Sequence, residues 1–161
     1  MTTEYFTSPE GRRLAFNKIP PVSGRPTFIW LSGYRSDMAG GKAQAVSSWA
    51  WENGNGAVLF DYSGHGESEG RFEDGTISAW REDALAAIDT LSDGPLILVG
   101  SSMGGWMALL AALARPERVK ALVLIAPAPD FTEKLMWAGL TPEQQEEIMT
   151  RGVTLRPSDY G

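Results

Sequence analysis

The sequence predicts an α/β protein: a mostly parallel β-sheet covered by helices on both faces. Three observations predict it. Short apolar runs alternate with longer stretches of helical periodicity, the rhythm of strand–helix–strand units. Those runs are apolar nearly throughout, as strands covered on both sides are. The run at residues 95–99 ends in Gly100-Ser101-Ser102-Met103-Gly104, a corner with a serine at its apex. Beyond it Trp106, Leu109, Leu110 and Leu113 recur at helical spacing on an Ala-rich background until Pro116.

In chain order, residues 5–8 and 13–18 read as a hairpin around Pro9-Glu10-Gly11, which has turn chemistry. Residues 19–26 form a connector containing Pro and Gly. Thr27-Phe28-Ile29-Trp30-Leu31 is a buried strand running into the Gly-punctuated loop from Ser32 to Gly41. Residues 42–53 form a helix closed by Gly54, and residues 57–60 the next strand, ending at Asp61-Tyr62. The glycine-rich loop of residues 63–70 leads to a helix with Thr76 as N-cap. Ile77, Trp80, Ala84, Ala87, Ile88 and Leu91 are its apolar face. After the strand, corner and helix around Ser102, residues 119–126 form one more apolar strand. Thr141-Pro142-Glu143 opens a last helix by N-cap and Pro-at-N1 chemistry, and Gly152 closes it.

The 161 residues suit one domain able to bury a sizeable core. A hydrophobic content of 43% and a charged content of 21% are ordinary for a globular chain. The formal net charge of -6 argues against a nucleic-acid partner, since phosphate binding needs clustered Lys and Arg. With no cysteine there is no disulfide, thiolate nucleophile or cysteine metal site. One histidine and scattered carboxylates argue against a metal, and nothing in the sequence asks for a cofactor. No apolar run approaches the ~20 residues of a membrane span. Met1-Thr2-Thr3-Glu4 has neither a signal-peptide nor a transit-peptide composition, so a cytoplasmic location is expected.

The glycines of the corner have a steric reason. A serine at a sharp strand-to-helix turn takes a strained backbone, and side chains two residues to either side would collide with it. The result is an exposed hydroxyl above a helix N-terminus, where the dipole and unpaired N–H groups favour developing negative charge. Ser102 is therefore the candidate nucleophile. The bland alternative, a flexible Gly/Ser turn, is outweighed by the strand before the corner and the helix after it.

Corner, alternation and loops together resemble the α/β-hydrolase fold over the whole chain. The likeness is to one branch in particular. That branch contains a mitochondrial palmitoyl-protein thioesterase, also described as a mycophenolic acid acyl-glucuronide esterase, and bacterial relatives. It is carried by residues 31–38 (Leu31-Ser32-Gly33-Tyr34-Arg35-Ser36-Asp37-Met38), by residues 61–68 (Asp61-Tyr62-Ser63-Gly64-His65-Gly66-Glu67-Ser68) and by residues 93–106 around the corner. The resemblance implies a serine hydrolase of carboxylic esters or thioesters, acting on small esters or acylated proteins. It also implies an oxyanion hole of two backbone N–H groups, at Tyr34 and Met103. The Tyr34 ring could equally pack its loop, and both roles are compatible.

The family orders its triad as Ser, acid, His. No histidine follows Ser102 here, and the only one, His65, precedes it in a tight Gly64-His65-Gly66 turn. His65 can be read as a base or as a structural ring, and its position favours the ring. Asp130, past the last apolar strand, is a weak candidate acid. Asp61 is expected to tie down its own loop. The resemblance implies two further strands carrying acid and base. The expectation is therefore an N-terminal fragment, with a hydrolase core at residues 1–126 and a truncated start of a cap at residues 127–161. Phe131, Leu135, Met136, Trp137 and Leu140 of that segment either line an acyl site or pack ordinarily. Two alternatives stay open: a binding module that has lost its base, and an α/β-hydrolase of other chemistry.

Overall fold

A computed structural model of the chain describes residues 2–155. It divides into two compact units, residues 1–129 and 130–161. The first holds a six-stranded sheet of β1 (Glu4–Thr7), β2 (Arg13–Ile19), β3 (Thr27–Leu31), β4 (Gly56–Phe60), β5 (Leu96–Ser101) and β6 (Val119–Ile125). Its spatial order is β1-β2-β4-β3-β5-β6. The predicted hairpin supplies the antiparallel end, β1 on β2 and β2 on β4. From β4 onward every pairing is parallel.

Three helices make the crossovers: α1 (Gly41–Glu52), α2 (Ile77–Leu91) and α3 (Met103–Ala114). The connection from β3 to β4 runs one way along the sheet, whereas those from β4 to β5 and from β5 to β6 run the other. Right-handed crossovers then put α1 on one face and α2 with α3 on the opposite face. Strand alternation divides the side chains accordingly. Ala15, Trp30, Leu59 and Val99 form one cluster with Met38 and Ala43 of the segment around α1. Ile29, Leu31, Val58, Phe60 and Leu98 point the other way and are buried, as are Ile88 and Met107. Each such large side chain contributes about 1.5–3 kcal/mol on burial.

Helix α3 departs from what its periodicity suggests. The residues it buries are Met103, Gly104, Gly105, Met107, Ala108 and Ala111, whereas Leu113 is 80% exposed. The helix lies so close to the sheet that a Cβ on Gly104 would run into the carbonyl of Leu31. Two methionines and the small residues therefore face the strands, while Leu109 and Leu110 are half-buried and Leu113 is exposed. Strand β6 forms a sheet edge, with Leu122, Val123 and Ile125 at 36%, 46% and 37% exposure.

The second unit contains a π-helical turn at Thr132–Met136, a 3₁₀ turn at Trp137–Gly139 and α4 (Pro142–Arg151). The helix begins as expected. Thr141 Oγ1 accepts the Gln144 N–H while the Gln144 side chain accepts the Thr141 N–H, and Gly152 ends the helix at φ 78°. No helix among the described residues is long and apolar enough to cross a membrane.

Candidate active site

The strand order sets where a site can form. At their C-terminal ends β3 and β5 are neighbours, with Leu31 opposite Gly100, yet the chain leaves them toward opposite faces of the sheet. Such a switch point opens a crevice in which α/β proteins bind ligands. The loop from Ser32 to Gly40 and the corner at Ser102 border it.

Ser102 stands where β5 hands over to α3, is exposed, and has φ 54° and ψ -120°. A positive φ on a residue with a Cβ is strained, by roughly 1–3 kcal/mol. Backbone bonds hold it there: Ser102 N–H donates to Ile125 O at 3.0 Å. Its carbonyl accepts from Gly105 N at 2.9 Å and from Ala128 N at 3.1 Å. Its side chain occupies the N-cap position of α3 but makes no capping bond, so the hydroxyl is not spent on the helix. Met103 is the first helical residue, and helix-opening N–H groups have no acceptor within the helix.

The other wall comes close. A Cβ on Gly33 would stand 3.4 Å from Ser102 Cβ and 3.6 Å from Ser36 Oγ. The loop at Gly33 therefore lies within van der Waals reach of the corner. Tyr34 follows directly, and its ring packs edge-on against Phe72 at 4.9 Å and Trp80 at 6.0 Å. Its ring therefore packs the loop, as one of the two readings of Tyr34 expected. Arg35 has φ 54°, and its guanidinium lies 4.7 Å from the Phe72 ring. Between this loop and residues 64–66 lies an open cleft of about 200 Å³, lined in part by Ser36, Asp37 and His65.

His65 is accounted for without Ser102. It is 4% exposed, with the rings of Phe72 and Trp80 each 5.1 Å away and Tyr62 at 5.6 Å. The Ser63 carbonyl can only accept, so His65 Nδ1 carries the proton and donates to it at 3.3 Å. Nε2 is buried and has no partner. Burial pushes the His65 pKa down, against the opposing pull of the Ser63 carbonyl, Asp83 and Asp37. Neither nitrogen bonds Ser102. Asp130, at φ 56°, pairs with Lys134 at 3.7 Å within the second unit. Leu135 and Met136 of that unit are exposed.

Two buried carboxylates carry more than their sequence positions suggest. Asp83 on α2 is wholly buried; it accepts Arg12 Nε at 2.6 Å, Ser63 N–H at 2.9 Å and Ser63 Oγ at 2.7 Å. Asp61, expected to hold its own loop, accepts both Glu67 N–H from that loop and Met38 N–H from the loop after β3. An Asp directly after a strand was the only sequence signal for the second bond.

A mostly parallel sheet with this strand order, crossed by helices on both faces and bearing an exposed serine at a strained strand-to-helix corner, has the architecture of the α/β hydrolases. The chain belongs to that family: the sequence profile of the alpha/beta hydrolase fold matches residues 50–151. Among relatives, it is 43% identical over 156 residues to human palmitoyl-protein thioesterase ABHD10, mitochondrial, covering 97% of this chain and 50% of the relative. Alpha/beta hydrolase domain-containing protein 10 from mouse superposes with a TM-score of 0.88 at 39% identity, over 99% of this chain and 63% of that one. A crystal structure from Agrobacterium vitis S4 gives 0.90 at 44% identity, over 99% and 65%. The chain thus spans about half the length of the curated relatives it matches.

Proposed function

We propose that this chain carries the nucleophile half of a serine hydrolase of carboxylic esters or thioesters. Ser102 Oγ attacks the acyl carbonyl, and the Tyr34 and Met103 N–H groups receive the oxyanion. A base takes the hydroxyl proton, the alcohol or thiol leaves, and water releases the acyl group from Ser102. The observation that carries this reading is the exposed, strained Ser102 with an uncommitted hydroxyl at the head of α3. Thioesters of long acyl chains on proteins, and acyl glucuronides, are the substrates suggested by the branch it resembles. Residues 127–161 are read as the start of the cap region. The absence of cysteine suits a reducing compartment, the cytoplasm among them; the mitochondrial location is that of the named relatives.

The base is the missing part. Both nitrogens of the only histidine are committed or sealed away from Ser102. In subtilisin, losing the histidine alone costs roughly 10⁶ in turnover. These 161 residues alone are therefore expected to be nearly inert, the base being supplied from outside them.

The test is labelling by a fluorophosphonate probe. The full gene product should label and should hydrolyse an S-palmitoylated peptide. Ser102→Ala should abolish both, and the 161-residue chain should label at a small fraction of the rate. Labelling that survives Ser102→Ala would sink the assignment. The sealed Nε2 of His65 favours one second reading, a binding module that kept the fold and lost its chemistry. A folded full gene product that never labels would establish that instead.

A further inference from the structure

Asp61 is the first residue after β4 and is 1% exposed. Its two carboxylate oxygens go to different loops. Oδ1 accepts Met38 N–H at 2.7 Å, and Oδ2 accepts Glu67 N–H at 2.9 Å. The main chain of Asp61 is fixed independently. Its N–H donates to Ala15 O at 3.0 Å, and its carbonyl accepts Ser68 Oγ at 2.6 Å. Gly66 lets the second loop close over the carboxylate, because a Cβ there would run into Oδ2. Met38 is itself buried, and its carbonyl accepts Gln44 Nε2 at 2.8 Å. The chain from Ser32 to Met38 is thus anchored at one end by β3 and at the other by Asp61, with Tyr34 between.

Chemistry explains why this position holds an Asp. A carboxylate offers acceptors only, so it receives two N–H groups on opposite sides. An amide would turn an NH₂ toward one of them, and a hydroxyl would add a proton needing its own partner. The groups facing it are otherwise unfavourable. Burial raises the Asp61 pKa above the usual carboxylate range against the pull of the Glu67 and Met38 N–H groups, and the charges of Asp37 and Glu67 raise it further.

We propose that Asp61 is a positioning residue for the oxyanion hole: by bracing Met38 against Glu67 it fixes the loop that aims the Tyr34 N–H at the carbonyl attacked by Ser102. This rests on the serine-hydrolase reading above. It extends that reading to a residue that touches neither substrate nor nucleophile.

The test is Asp61→Asn, compared with Ser68→Ala, which removes the bond to the Asp61 carbonyl but leaves the carboxylate alone. In the 161-residue chain, amide hydrogen exchange should accelerate at Met38 and Glu67 together in Asp61→Asn. In the full gene product, kcat on a p-nitrophenyl ester should fall on the order of 10²-fold with little change in KM, as for a small misplacement of an active-site group. Ser68→Ala should lower the melting temperature and leave kcat in place. An Asp61→Asn protein with a lowered melting temperature but unchanged kcat, or with Met38 still protected, would overturn the proposal. Should that variant fail to fold, acid titration of the wild-type chain replaces it. Exchange at Met38 and Glu67, relative to intrinsic rates, should then rise with protonation of Asp61, followed by its carboxyl carbon shift; independence from that titration would refute the brace. Hydrolysis persisting in Ser102→Ala would bring down the hydrolase reading instead, leaving the exchange result to be judged by itself.

Discussion

The pair of Arg12 and Asp83 joins the tip of the β1–β2 hairpin to α2, 71 residues away in sequence. The two ends differ in what they lose. Removing Asp83 strands the Ser63 N–H and O–H, each worth about 1–3 kcal/mol when left without a partner in a partly buried site. Arg12 is not stranded, being 25% exposed and still bonded to Glu82 at 3.2 Å, Glu10 at 3.4 Å and the Ala79 carbonyl at 3.4 Å. Asp83→Ala should therefore cost about 3 kcal/mol. Removing Arg12 instead leaves a wholly buried carboxylate without its cation, a loss of about 3–5 kcal/mol. Arg12→Ala is thus expected to be at least as damaging as Asp83→Ala, although Arg12 is the more exposed partner. At about 2–4 °C per kcal/mol for a chain of this size, either variant lowers the melting temperature by roughly 6–20 °C. Urea denaturation of both single variants and the double variant, followed by circular dichroism, measures the costs and their coupling. A coupling of at least ~1 kcal/mol is expected. Arg12→Ala within ~0.5 kcal/mol of the wild type would refute the reasoning, because it would mean the Asp83 charge has no need of its cation.

Two further outcomes follow from the packing. Gly104→Ala forces a methyl group against the Leu31 and Ser32 carbonyls, so α3 must shift off β3; a loss of about 1–3 kcal/mol or more is expected, with weaker fluorophosphonate labelling of the full gene product. Denaturation together with labelling checks both effects, and unchanged labelling would show that the corner does not depend on this approach. For His65, the folded pKa lies below the usual ~6.5, so between the two values the unfolded chain binds the extra proton. Its contribution to stability is complete above pH ~6.5 and is lost as pH falls through the folded value. His65→Gln should flatten the decline in melting temperature over that window, the charges of Asp83 and Asp37 facing the ring being unchanged. A variant with the wild-type slope would assign the decline to other groups.

What the sequence made legible is what neighbouring residues decide. The turn at Pro9-Glu10-Gly11, the Thr76 and Thr141 caps and the Gly-lined corner are local, and all appear where expected: Thr76 Oγ1 accepts the Ala79 N–H at 3.1 Å. That α3 buries Met103, Met107 and its small residues while leaving Leu113 exposed was not legible. Apolar periodicity marks a helical stripe, but the closeness of α3 to β3 decides which stripe fits. The ring cluster of Tyr34, His65, Phe72 and Trp80 was also hidden, because it gathers three segments that the sequence keeps apart. Asp61 was placed in its own loop for the same reason. Its bond to Met38 spans 23 residues, and nothing local announces it.

The strain at Ser102 says which parts of the chain the corner needs. A residue stays in a sparsely populated conformation only where its surroundings over-determine it. Here the restraints are Ile125 at the end of β6, Ala128 just beyond it, and Gly105 in the first turn of α3. All belong to the first compact unit, as does Gly33 on the facing loop. The backbone geometry of Ser102 is accordingly a property of the first compact unit. One of these three bonds comes from an edge strand that exposes much of its apolar surface. This separates two questions that a triad usually fuses. Whether the hydroxyl is presented is decided by β5, α3 and the end of β6; its activation, in the hydrolase proposed above, is a separate matter. Loosening β6 should therefore cost presentation of Ser102 even in a protein whose base is intact.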